Sequence, residues 1–211
     1  MSARAETLPR GLVAGVLVLA LVVIGLGGAV IALKLRPASL PTDSVNREIA
    51  LWRETVQQNP DDPRAHTGLG LAYVQAQRTD DAKAEFEEAI SLDDTSWMAK
   101  FQLALLTKTD DPTGAVVLLT QAAKGAPQQE RVAPLVALGD LQLARHDAKG
   151  AREAYRKAVA YDPFSFDGHL GLAKALETLG DRKDALEEYQ QAKRFDPTNQ
   201  DVAAAIARLS G

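Results

Sequence analysis

Hydrophobic and polar positions divide the chain into three stretches with different periods. From Gly11 to Leu33 the pattern is continuous: GLVAGVLVLALVVIGLGGAVIAL, 23 residues without a charge or a strongly polar side chain. As a helix this run would be roughly 35 Å long, enough to cross a hydrocarbon core of about 30 Å. A helix buried in a soluble core rarely needs to be apolar on every side. A cleaved signal peptide is the sharper rival, but its apolar core is normally about 7–15 residues and ends near a small-residue cleavage site. This run is longer and ends in Lys34-Leu35-Arg36. The pattern predicts a tail over residues 1–10 and a transmembrane signal anchor over 11–33. Arg4 and Arg10 before the span nearly balance Lys34 and Arg36 after it, so the positive-inside rule barely orients it. A short tail ahead of a long polar region favours a single-pass membrane protein whose C-terminal domain is extracytoplasmic. Gly11-xxx-Gly15 and Gly25-xxx-Ala29 have the spacing for close packing in lipid, which makes this helix a candidate homo-oligomer contact.

Residues 34–43 read as a linker stiffened by Pro37 and Pro41. From Ser44 the period becomes helical. Val45, Ile49, Trp52 and Val56 fall at steps of four, three and four, one apolar stripe that stops at Asn59-Pro60. A bridging helix is expected within 44–60.

Beyond Pro60 a longer period takes over. Leu138, Asp147, Ala151, Tyr155, Ala158, Asp162 and Pro163 recur 34 residues later as Leu172, Asp181, Ala185, Tyr189, Ala192, Asp196 and Pro197. Leu69-Gly70, Tyr73, Ala82, Phe86 and Ala89 hold the same places in an upstream copy. This order of residue types resembles the tetratricopeptide repeat (TPR) family from about Pro60 to the end of the sequence. The resemblance implies an all-α fold, a right-handed TPR α-solenoid over 61–211. Its four repeats lie at about 63–96, 97–127, 132–165 and 166–199, with a capping helix at 200–211. The second copy is degraded, with an inter-helix turn one residue short, and two extra residues near Gln128 and Gln129 follow it. Trp52 lies 34 residues before Phe86, so the bridging helix reads as the second half of a partial repeat. Asp80, Asp147 and Asp181 stand where helix N-caps are needed, and Pro112 follows Asp110-Asp111 as a first-turn proline.

Composition narrows the chemistry. The chain has 211 residues, 46% apolar and 25% charged, an ordinary globular balance that excludes wholesale disorder. A mean hydropathy of −0.15 conceals the uneven distribution just described. Without cysteine there is no disulfide, thiolate nucleophile or haem-attachment motif in the chain. The net charge of −4 lacks the basic excess of a nucleic-acid binder. His66 and His169 share one repeat position, which makes them structural, and His146 falls in a turn. Gly68-Leu69-Gly70 lacks the third glycine and preceding strand of a dinucleotide loop. Paired aspartates at turns suit helix capping better than calcium. No catalytic residue, cofactor site or metal site is expected, and no enzymatic activity.

A binding surface remains. In TPR proteins the first helices of the repeats line a concave groove. The resemblance places Arg64, Thr67, Leu71 and Val74 there from the first copy and Met98, Phe101 and Leu105 from the second. Val136, Asp140 and Leu143 follow from the third, and Leu170, Lys174 and Glu177 from the fourth. The Lys/Arg/Asn constellation with which some TPR domains clamp a terminal carboxylate is missing. An amphipathic helix or apolar extended segment of another protein is the expected ligand. Residues 61–111 hold 5 Lys/Arg against 11 Asp/Glu, whereas 112–211 hold 13 of each. The first half should repel acidic partners and anionic headgroups. The expected function is a membrane-anchored scaffold or adaptor that assists assembly of an extracytoplasmic or membrane complex. One span, a bridging helix and a short array are also similar to the TPR subunits of bacterial c-type cytochrome maturation, which present apocytochrome to a haem lyase. A self-assembling membrane organiser is a further alternative.

Overall fold

A computed structural model describes residues 42–211. The expected span at 11–33 lies outside the described residues, and no described helix is long and apolar enough to cross a membrane.

Among the described residues ten α-helices and one 3-10 turn alternate with short connections, and there is no strand. Helix α1 (Thr42–Gln58) begins two residues earlier than its apolar stripe requires. Four helix pairs follow: α2 (Pro63–Gln75) with α3 (Thr79–Leu92), and α4 (Trp97–Thr107) with α5 (Pro112–Gly125). Then come α6 (Val132–Ala144) with α7 (Ala148–Tyr161), and α8 (Phe166–Leu179) with α9 (Arg182–Phe195). Helix α10 (Gln200–Ser210) closes the series. Each helix packs on its neighbours in sequence, and first helices of successive pairs also touch, α2 with α4 and α6 with α8. Such nearest-neighbour packing is the contact pattern of a solenoid.

Side-chain size explains the stacking. Ala82, Phe86 and Ala89 of α3 are fully buried, as are Ala151, Tyr155 and Ala158 of α7. Each large buried ring removes apolar surface worth roughly 1.5–3 kcal/mol, and the flanking alanines let neighbouring backbones close around it. The Tyr155 ring lies between Gly139 of its own repeat and Gly171 of the next. A methyl group would come within 2.6 Å of the ring at Gly139 and 2.2 Å at Gly171. Trp52 of α1 meets Gly68 in the same manner, 2.7 Å from where a Cβ would stand. Since Trp52 and Gly68 are spaced as Phe86 and Gln102 or Tyr155 and Gly171 are, α1 acts as the second helix of a partial repeat.

Helix starts follow local chemistry. Asp62, Asp111 and Asp147 accept backbone N–H bonds from Arg64, Gly114 and Gly150 at 2.9–3.0 Å, and Pro63 and Pro112 occupy first-turn positions. Two expectations about caps need correction. Asp80 sits inside the first turn of α3, whose cap position is Arg78; there its charge faces the helix dipole instead. Asp181 holds the cap position but makes no capping hydrogen bond.

The two extra residues fold into the 3-10 turn Gln128–Glu130. Arg131 then ties adjacent repeats, donating from Nε to the Ala126 carbonyl at 2.9 Å and from Nη1 to the Tyr161 hydroxyl at 2.7 Å. At the far end Val202, Ala205 and Leu209 of α10 join the core around Tyr155 and Tyr189. Arg182 bonds the terminal carbonyls of Leu209 and Arg208 at 3.1 and 3.0 Å, satisfying acceptors that a helix end leaves open.

Candidate functional site

The first helices turn one stripe toward the second helices and leave another uncovered. None of the twelve candidate side chains from Arg64 to Lys174 is buried. They divide by what they touch. Leu71 and Val74 lean on the N-terminal core, Phe101 on the middle one, and Val136, Leu143 and Leu170 on the C-terminal one. Phe101 is therefore partly a packing residue. Met98 and Leu105 are half-buried, and Thr67 donates its hydroxyl to the Pro63 carbonyl at 2.7 Å. Arg64, Asp140 and Lys174 are exposed.

Two depressions open along this stripe. The first, of about 440 Å³, lies between α2 and α4 and is lined by Trp52, Thr67, Leu71, Trp97 and Met98, with Arg64 at its margin. The second, of about 370 Å³, lies between α6 and α8; Val132, Ala133, Val136 and Ala137 line it beside Glu130, Asp140 and Asp167. They are the same place in the repeat. A shift of 69 residues carries Arg64, Thr67, Leu71 and Met98 onto Ala133, Val136, Asp140 and Asp167.

The change of lining is coupled to the second helices. Tyr155 donates its hydroxyl to Asp140 Oδ1 at 2.6 Å. Burial first, then that bond and the charges of Asp140 and Asp167, push the Tyr155 pKa far up, so it stays a donor. Tyr189 donates to Glu177 at 2.9 Å, and Arg208 of α10 grips the same carboxylate, holding it below the usual range. Glu177 is thus a fastening for the terminal helix. In the first two repeats Phe86 and Leu119 carry no hydroxyl, and Leu71 and Leu105 stand where Asp140 does. Arg64, the basic groove residue of the early copies, already pairs with its neighbour Asp62 at 3.2 Å.

A larger depression of about 650 Å³ is built instead on α7, α8 and α9, where Arg152 and Arg156 face Asp181, Asp184, Glu187 and Glu188. Its charges of both signs are neighbours of one another, with Arg152 3.9 Å from Asp181.

The histidines behave as the shared repeat position implies. His66 places Nδ1 2.7 Å from Glu85 and Nε2 2.9 Å from the Pro60 carbonyl. His169 repeats this with Glu188 at 2.6 Å and Pro163 at 3.0 Å. Each ring stitches a first helix to its second helix and to the preceding turn. Burial acting alone would lower the His66 pKa, but the bonds to Glu85 and Pro60 and the charges of Glu85 and Glu88 outweigh it and raise it. His146 is exposed, in a left-handed turn conformation with φ of 62°.

Sequence reasoning missed Trp52 and Trp97 as lining residues, and Glu130 and Asp167 in the second depression. For Asp167 the signal is present, because Met98 holds the equivalent place two repeats earlier. Glu130 belongs to the insertion, where repeat register gives no guidance.

The model of the tetratricopeptide repeat family matches residues 49–106 and 136–200, together more than half of the chain. No curated protein matches it. Among solved structures, PilF of Pseudomonas aeruginosa superposes with a TM-score of 0.70 at 16% identity, covering 80% of this chain and 76% of PilF. YrrB, described as a TPR protein with an unusual peptide-binding site, gives 0.67 at 15% identity over 75% of this chain and 81% of YrrB. MamA gives 0.66 at 20% identity over 74% of this chain and 90% of MamA. At these identities the likeness is one of fold.

Proposed function

The chain belongs to the tetratricopeptide repeat family, and from that premise we propose that it is a membrane-anchored scaffold that docks another polypeptide along its first-helix face. The observation that carries this reading is the row of half-exposed apolar side chains, Leu71, Met98, Phe101 and Leu105, beside a depression walled by Trp52 and Trp97. Apolar side chains on a rigid, concave surface favour an amphipathic helix or an apolar extended segment. The similarity in fold to YrrB, itself described as peptide-binding, is consistent with this use.

Residues 11–33 anchor the chain in a membrane as a single span, with the repeat domain on the extracytoplasmic side, and self-association runs through the same span. The protein acts in assembly, holding a partner near the bilayer. Presentation of apocytochrome to a haem lyase is one form such a role takes. A cysteine appended after Gly211 reports the orientation, because the chain has no other thiol; labelling by a membrane-impermeant reagent in intact cells supports export, and labelling only after lysis refutes it.

For the groove the decisive variant is Met98→Asp with Leu105→Asp. Neither side chain belongs to a buried core, so helicity should be preserved while partner capture from the native membrane falls at least tenfold, a loss of about 1.4 kcal/mol. Unchanged capture removes the groove from the account.

A further inference from the structure

The two equivalent depressions differ in a way that describes the ligand. In the first, the ninth residue of the first helix and the second residue of the next are Leu71 and Met98; in the second, they are Asp140 and Asp167. Glu130 adds a third carboxylate at the margin, while Val132, Ala133, Val136 and Ala137 keep the floor apolar. Asp140 is engaged by a neutral donor, the Tyr155 hydroxyl, which does not cancel its charge. No Lys or Arg lines this depression. Among the described residues no three acidic or histidine side chains come close enough together to hold a metal ion. The complement is therefore an extended organic cation with an aliphatic stem, which is a lysine or arginine side chain.

We infer that the groove takes a bipartite polypeptide segment, with large apolar side chains seated between α2 and α4 and a lysine or arginine seated between α6 and α8. The inference rests on the groove reading above and adds polarity to it. Both depressions lie at one repeat position on one face, so a single extended or helical segment running past Phe101 and Leu105 reaches both. Apolar anchors at one end supply contact area, and the basic residue at the other fixes direction and register. A segment with an acidic residue at that end meets uncompensated like charge and is rejected.

The test is random-peptide display against the immobilised full-length chain in detergent, followed by fluorescence anisotropy of the selected peptides. Enriched peptides should combine large apolar residues with Lys or Arg at one end. Glu130→Lys with Asp167→Lys should weaken them about tenfold at low salt and less at high salt, since both charges lie at the margin. Asp167→Asn, a milder change at the first turn of α8, should weaken them about threefold and guards against misfolding of the double variant. If Met98→Asp with Leu105→Asp leaves binding intact, the groove reading itself fails. If that variant abolishes binding but the peptides lack Lys and Arg, or tolerate Asp167→Lys and Asp167→Asn, the groove stands and the bipartite ligand is overturned.

Discussion

The first two repeats and the last two solve the same packing problem with different chemistry. Phe86 and Leu119 fill the space between helices as pure hydrocarbon; from the groove side Leu71 packs against the core around Phe86, and Phe101 against the core around Leu119. Tyr155 and Tyr189 fill it in the later repeats and extend hydroxyls to Asp140 and Glu177. The exposed stripe therefore acquires carboxylates where the interior acquires tyrosines. The polarity of the first-helix face is tied to the identity of a buried ring, because a buried hydroxyl must find an acceptor. A solenoid can thus change the chemistry of one face along its length without changing its fold.

The deepest difference between the halves is how much the buried ring can yield. Tyr155 is held by Gly139 and Gly171, whereas Trp52, above Gly68, is only partly buried. Gly171→Ala is expected to cost about 3 kcal/mol and Gly68→Ala about 1, because the indole can tilt outward and Tyr155 cannot. Urea unfolding midpoints of the two variants measure the gap; equal losses would mean that both halves are equally rigid.

Exchanging the polar pair tests the coupling itself. Phe86→Tyr buries a hydroxyl against Leu71 without an acceptor, at a cost of about 2 kcal/mol. Adding Leu71→Asp should recover about 1 kcal/mol of that, a non-additivity read from a double-mutant cycle in urea. Strict additivity would show that the groove residue and the ring are independent.

The pH dependence of the first repeat follows from His66, whose folded pKa lies above its ordinary value of 6.5. A raised value means that its contribution is fully present below 6.5 and is lost as pH climbs through the folded pKa. Glu85, Glu88 and Asp62 are the charged groups that act on it. His66→Gln should destabilise by about 1.5 kcal/mol in acid, the worth of a hydrogen bond to a charged group, and by less in alkali. A difference that grows with pH would contradict the assignment.

The smallest expected effect concerns the turns between paired helices. Gln77, His146 and Gly180 occupy one repeat position, with φ of 59°, 62° and 86°. Only Gly180 suits the left-handed region, and open space surrounds it. Gln77→Gly and His146→Gly should each stabilise by somewhat under about 1 kcal/mol, and Gly180→Ala should destabilise by about 1. Thermal unfolding distinguishes the signs.

Much of the fold was legible in the sequence because a solenoid repeats its packing rule. The 34-residue spacing of small, aromatic and small residues links α7 with α9, the same residue order marks α3, and α5 keeps it with Leu119 in place of the ring; Trp52, 34 residues before Phe86, gives α1 the place of a second helix. The site was less legible. Repeat position placed the residues from Arg64 to Lys174 on the first helices, where none is buried, but not which members also support the core, as Phe101 does. The bonds of Tyr155 to Asp140 and Tyr189 to Glu177 join residues on different helices of a hairpin, and no helical or repeat period announces such a pair. Asp80 failed as a cap because α3 begins two residues earlier than a cap at Asp80 would place it.

The central claim is that the first-helix face holds the partner. A photo-crosslinking amino acid at Leu105, on that face, is compared in the native cell with the same group at Val117, an exposed position on the second helix α5. The account predicts a discrete protein adduct from Leu105 and none from Val117. Equal capture at both positions, or capture at Val117 alone, would contradict it.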